Sequence, residues 1–192
     1  MDRKIRSFTL VELILTILLL SVIILAATSF DYTSLFLFES SRKKSVIINE
    51  MSLVLDHIHK SAIHITGDVN DSGINVDSGN QAVNLRVDVN DTPCDYSDDI
   101  WVRYECTNVN SNQYKIDFCS DASSPSSCYT LTKKVVKKDG NLFRFDKISP
   151  NEFSCSNLAL RYDPTKNMHI RKNPEVYMPE AVIFSSISHS IN

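Results

Sequence analysis

Apolar residues follow three successive patterns along this chain. From Phe8 to Ala27 the run is apolar on every side except at Glu12. At 1.5 Å per residue it would reach about 30 Å, the hydrocarbon thickness of a bilayer. Farther on, Ile48, Met51, Leu55, Ile58, Ala62 and Ile65 recur at steps of three and four, which predicts a one-faced helix. Arg42, Lys43, Asn49, Glu50, Asp56 and Lys60 lie opposite, toward solvent. No Gly or Pro occurs before Gly67. The two patterns therefore predict one near-continuous helix from about Thr9 to Thr66, roughly 85 Å long, with Gly67 as its C-cap. The stretch "TSLFLFESSRKK" at 33–44 interrupts the stripe and reads as more helix.

Beyond residue 67 the period changes. Asn, Asp and Ser become frequent, and β-branched runs alternate with polar positions. Strands are predicted at "AVNLRVDV", "DIWVRYECT", "QYKIDFC", "YTLTKKVVKK", "NLFRFDKI", "LALRYD" and "AVIFSSISHSI". Asp139-Gly140 in "KKDGNL" predicts a hairpin turn, and "RYDPTKN" another turn. The predicted fold is α+β: a long N-terminal helix packed on a mainly antiparallel sheet.

Charge and cysteines add an orientation. Arg3, Lys4 and Arg6 precede the apolar run with only Asp2 against them, which keeps the head of the chain cytoplasmic and sends the rest outward. All five cysteines, Cys94, Cys106, Cys119, Cys128 and Cys155, lie on the outward side, as disulfide-forming cysteines would. Cys119 and Cys128 flank the turn-forming "SDASSPSS" and are the first candidate bridge; Cys94 with Cys106 is the second. Connectivity stays open, and one thiol is left over. No CxxC occurs and no His has finger spacing, which argues against zinc.

Glu12 is the informative residue. A charge in an apolar segment costs a few kcal/mol and marks a partner. Ala26, Ala27 and Ser29 could supply an ordinary signal-peptide cleavage site, but that reading leaves Glu12 unexplained. A cut between Ser7 and Phe8 would create an amine four residues from Glu12, on the same helical face. The amine could pair within the chain or with Glu12 of a neighbour. Otherwise the carboxyl snorkels or is protonated.

"SFTLVELILTILLLSVIILA" resembles the class III signal of type IV pilins and type II secretion pseudopilins. The resemblance covers about 25 residues. It implies a pilin-like fold, a cytoplasmic leader at 1–7, a transmembrane helix at 8–29, its amphipathic continuation at 30–66 and a periplasmic β-rich head at 67–192. It implies that a prepilin peptidase cuts after Ser7 and that Phe8 is N-methylated. Glu12 then takes the family's glutamate position and serves assembly. The family has Gly before the cut, where this chain has Ser7. "MSLVLDHIHKSAIHI", "VVKKDGNLFRF" and "LALRYD…MPEAVIFSSIS" are similar to the minor pseudopilin J type or the minor pilin W type.

Other candidate chemistry is thin. In "DVNDSGINVDSG" Asp68, Asn70 and Ser72 have the spacing of a calcium loop, with Gly73 at its turn. Gly79 stands where the bidentate acid belongs, and Asp77 is the substitute. A second acidic loop, "DVNDT", lies near Asp95, Asp98 and Asp99. The alternative is two Asx-rich turns with no ion. His57, His59 and His64 share no metal-binding spacing, and no catalytic constellation is visible. The chain carries −3 overall. Removing a +2 leader leaves it near −5, which argues against nucleic acid. The expected function is a minor pilin or pseudopilin subunit, not an enzyme, with no cofactor unless calcium binds. Its expected partners are other pilin subunits, the prepilin peptidase and inner-membrane lipid. The alternative is a membrane-anchored binding module, adhesin or calcium-dependent receptor, that never polymerises.

Overall fold

The computed structural model describes residues 9–67, 71–90, 92, 96–150 and 152–185. One helix, α1, runs Leu10–Ile63. Eight strands follow: β1 Ile74–Val76, β2 Ala82–Val87, β3 Ile100–Asn110, β4 Gln113–Cys119, β5 Cys128–Val135, β6 Arg144–Ser149, β7 Glu152–Arg161 and β8 Glu175–Phe184. The chain divides into two compact units between Arg42 and Lys43.

In the first unit every described residue up to Leu35 is exposed. This stretch of α1 is long and apolar enough to cross a membrane. Four of its hydroxyls bond back to the helix. Thr16 donates to the Leu13 carbonyl at 2.8 Å, Ser21 to Leu18 at 2.7 Å and Thr33 to Ser29 at 2.8 Å. Thr28 reaches both Ile24 and Leu25 at 3.0 Å. Such back-bonding satisfies these four hydroxyls within their own helix, as a lipid environment demands.

In the second unit α1 buries Ile47, Met51, Val54, Ile58 and Ala62. The stripe is rotated from the expected one: Ile48 is exposed and Leu55 half-buried, while Ile47 and Val54 face inward. Steps of three and four fit either set, so periodicity alone leaves the face ambiguous by one position. Each large side chain here contributes about 1.5–3 kcal/mol by leaving water.

The sheet is antiparallel, in the order β1-β2-β3-β4-β5-β7-β6, with β8 on β7. It curls, so that β6 returns toward β1. Phe145 donates its amide to the Asn80 carbonyl at 2.7 Å, and Asn80 Nδ2 donates to Asp146 at 2.6 Å. Val83, Leu85, Val102, Tyr104, Ile116, Phe145, Phe153, Leu158 and Leu160 form the core with the buried stripe of α1. The predicted strands are present, with differences; residues 186–191 of the last one lie outside the described residues. β1 was not anticipated. β8 begins six residues before "AVIF" and runs through Pro179. Asp139 and Gly140 take positive φ of 52° and 85°, as a two-residue hairpin turn requires. The hairpin stops at the Lys138–Asn141 bridge, because β7 lies between β5 and β6.

The end of α1 also differs from expectation. His64 and Ile65 tighten the last turn by bonding to Ser61 and Ala62, and Ile65 then bridges to Val87. Gly67 lies past this turn and does not cap it. A Cβ on Gly67 would come within 2.2 Å of the Gly73 amide nitrogen, and one on Gly73 within 1.8 Å of the Thr66 carbonyl. Both glycines are there because two backbones pass in contact.

Candidate functional site

Thr9 and Glu12 hold each other at the start of α1. The Thr9 amide and hydroxyl both donate to Glu12 Oε2, at 2.9 and 3.0 Å, and the Glu12 amide donates to Thr9 Oγ1 at 3.3 Å. This is a capping box, with Thr9 as N-cap and Glu12 three residues in. It satisfies two amides that the first helical turn would otherwise leave bare. The signal for it, Thr-x-x-Glu before an apolar run, stands in the sequence as "TLVE". The cap uses only Thr9 and Glu12, so a cut before Phe8 would leave both its partners in place. Ser7 and Phe8 themselves lie outside the described residues.

Of the cysteines, Cys119 and Cys128 are joined, stapling the β4–β5 loop. Asp121 orders that loop from within: Oδ1 accepts the Ser123 amide at 2.8 Å and its hydroxyl at 2.6 Å. Those bonds hold the Asp121 carboxyl below its usual range. The second expected bridge is not made by Cys106, which is a free thiol; Cys94 lies outside the described residues. Cys106 points from β3 into the core, where burial pushes its pKa up to about 12. Cys155 is likewise free and buried in β7, and desolvation raises it too.

Of the calcium-loop candidates, Ser72 and Asp77 have partners within the chain. Asp68 and Asn70 lie outside the described residues. Ser72 accepts the Lys147 ammonium at 2.6 Å, a cation already at that oxygen. Asp77 Oδ1 caps a turn, accepting the amides of Gln81 at 2.9 Å and Ala82 at 3.1 Å. In the second acidic loop Asp88 accepts the amides of Asn90 and Thr92, and Asp98 the Thr92 hydroxyl. Asp99 accepts the Thr66 hydroxyl at 2.6 Å and faces Arg86, whose guanidinium lies 4.0 Å from the Tyr96 ring. Among the described residues no group of three or more His, Cys, Asp or Glu side chains is placed to hold a metal ion.

His57 does more than coat a surface. Its Nδ1 lies 2.8 Å from the Tyr104 hydroxyl and its Nε2 2.8 Å from that of Tyr129. Tyr104, wholly buried, also donates to the His57 carbonyl at 3.0 Å and meets Ser61 Oγ at 2.6 Å. Phe118 packs edge-on to the imidazole at 4.7 Å. Burial holds His57 below its ordinary pKa, helped by the Lys60 charge and opposed by Asp56. A cavity of about 420 Å³ opens beside it, between α1 and Tyr129–Leu131. These contacts clamp the helix to the sheet. His59 and His64 are exposed and take no part in them.

Comparison with known proteins reaches only the start of the chain. Residues 2–28 match the prokaryotic N-terminal methylation motif. No curated protein and no solved structure matches the chain. The motif, the exposed apolar helix it opens and the curled antiparallel sheet that follows are consistent with a type IV pilin-like or pseudopilin subunit.

Proposed function

We propose that this chain is a minor subunit of a type IV pilus or of a type II secretion pseudopilus. The observation that carries this reading is the methylation motif leading into a helix whose side chains are apolar and exposed all round, with one carboxylate in its first turn. So large an apolar surface needs a cover. Lipid provides it before assembly, and the helices of sibling subunits provide it afterwards. The subunit waits in the inner membrane with its N-terminus in the cytoplasm and its head in the periplasm. A prepilin peptidase cuts between Ser7 and Phe8 and methylates the new amine. Glu12 then sets the vertical register of the incoming helix by pairing with the Phe8 amine of a neighbour. Until then Thr9 holds the carboxylate within its own chain.

The head contributes interfaces rather than chemistry, at a filament tip or in a priming complex. The test is co-expression with sibling subunits and scoring of sheared filaments. Glu12→Ala is expected to remain in the membrane and be lost from filaments. Thr9→Val removes the cap but keeps the charge, and should retain much of its incorporation. Wild-type incorporation of Glu12→Ala would sink the register role.

A further inference from the structure

The five-residue frame Asp-Val-Asn-Asp-Ser/Thr occurs twice in the chain, at 68–72 and at 88–92. Each copy contains Asn-x-Ser/Thr with a middle residue other than Pro, the acceptor pattern for a sugar on the Asn amide. So short a pattern arises by chance in many chains, and its structural setting has to give it weight. Asn70 of the first copy lies outside the described residues. Asn90 of the second lies within them, in the connection between β2 and β3.

Asn90 stands on the outside of a built turn. The root of the turn is fixed, because the Asp88 amide donates to the His64 carbonyl at the end of α1, at 3.1 Å. Asp88 is only 9% exposed and directs its carboxylate back into the connection. There Oδ1 accepts the amides of Asn90 at 3.0 Å and Thr92 at 3.1 Å. Two amides gathered on one carboxylate oxygen hold the backbone bent, as an Asx turn does. Val89 and Asn90 are both exposed on it. Asp88 holds the turn, so the Asn90 side chain is not needed to hold it.

The two groups an acceptor must offer converge. Asn90 Nδ2 donates to Asp98 Oδ2 at 2.8 Å, and the Thr92 hydroxyl donates to the same carboxylate at 3.1 Å. One carboxylate thus gathers the nitrogen that carries a sugar and the hydroxyl by which an acceptor is read. The Asn90–Asp98 bond is exposed to solvent. Little is lost when water or another carboxylate takes the place of Asp98 there, because one hydrogen bond is exchanged for another.

We propose that Asn90 is an N-glycosylation site, which takes a saccharide from a polyprenyl-diphosphate donor on the outer side of the membrane. The proposal rests on the reading that the head faces outward. Asn90 Nδ2 attacks the anomeric carbon of the sugar and forms a C–N bond. The bond from that carbon to the diphosphate oxygen breaks, and polyprenyl diphosphate leaves with the electron pair. The proton displaced from Nδ2 passes to a base of the transferase. Asp98 keeps its bond from Thr92, and the Asp88 turn stays intact, so the sheet does not have to move. The saccharide extends into solvent beside exposed Val89.

The test isolates the full chain from the membranes of its own cells, blocks free thiols, digests it with trypsin without reduction and maps the peptides by mass spectrometry. The peptide 87–103, bounded by Arg86 and Arg103, should carry a saccharide mass, release sugar ions on fragmentation and hold the sugar at Asn90. Asn90→Gln and Thr92→Ala should lose that mass, and Thr92→Ser should keep it. The Cys119–Cys128 bridge in the same digest reports whether the head reached an oxidising compartment. An unmodified 87–103 peptide beside an intact bridge overturns the proposal and leaves the outward reading standing. An unmodified peptide beside two blocked thiols overturns both. A saccharide found only in peptide 61–86, which holds Asn70, or on the Thr92 hydroxyl, overturns the assignment to Asn90. Retention of the sugar in Thr92→Ala overturns the role of the hydroxyl.

Discussion

Replacing Tyr104 by Phe removes one buried oxygen from the clamp between α1 and the sheet, and its cost follows from the contacts. The hydroxyl has a single proton, here assigned to the His57 carbonyl at 3.0 Å, which can only accept. It therefore accepts from both Ser61 Oγ, at 2.6 Å, and His57 Nδ1, at 2.8 Å. That fixes the neutral His57 tautomer with its proton on Nδ1, leaving Nε2 to accept from Tyr129. In the Phe variant the ring still packs on Phe118 at 5.0 Å, so no cavity opens. The His57 carbonyl keeps its place in the helical ladder, and the Ser61 hydroxyl can turn to it. The Nδ1 proton is left without an acceptor in a half-buried position. An unsatisfied buried donor costs about 1–3 kcal/mol, and half-burial places this one near 1–2. For a domain of this size that is about 2–8 °C in Tm. Thermal unfolding of the full chain in detergent at pH 7.5, followed by near-UV circular dichroism, reads it directly. A double-mutant cycle of Tyr104→Phe with His57→Gln should show coupling above about 0.5 kcal/mol. A variant as stable as the wild type, or a strictly additive cycle, would refute the argument.

The lowered His57 pKa gives a pH dependence. The unfolded chain takes up a proton near the ordinary value of 6.5 and the folded chain resists it, so stability is fully present above that pH and falls as pH drops below it. His57→Gln should flatten melting temperature against pH between 7.5 and 5; an unchanged slope would remove His57 as the cause. Reducing the Cys119–Cys128 bridge, with a sequence separation of 9, should lower stability by at most about 2–3 kcal/mol without changing the far-UV spectrum. Loss of folded structure on mild reduction would contradict a bridge that only staples a loop. Cys106 and Cys155 should resist iodoacetamide in the native state and react after denaturation, as peptide mass spectrometry would show. Rapid native labelling of either would contradict their burial.

Where local chemistry is short in range, the sequence announced it. "TLVELILTILLL" carries both the capping box and the apolar helix, and Asp139-Gly140 carries its turn. Strand alternation located most of the sheet. Strand order was beyond reach, because nothing in "KKDGNL" tells β6 to pass β5 and pair with β7. Ile47 and Ile48 are both apolar and adjacent, so only the packed sheet decides which turns inward. His57 was legible as a helical histidine but not as the partner of Tyr104 and Tyr129, which lie 47 and 72 residues away. The partners of Ser72 and Asp77 were hidden for a related reason. Lys147, 75 residues from Ser72, occupies its oxygen, and Asp77 is consumed by the turn it caps.

The central claim is that the chain enters the pilin pathway through its first residues. Intact mass and N-terminal sequencing after co-expression with a prepilin peptidase test it most directly. The account predicts a chain that begins at N-methylated Phe8, with Thr9 and Glu12 at its second and fifth positions. A chain that still begins at Met1, or one cut near Ala27, would contradict it.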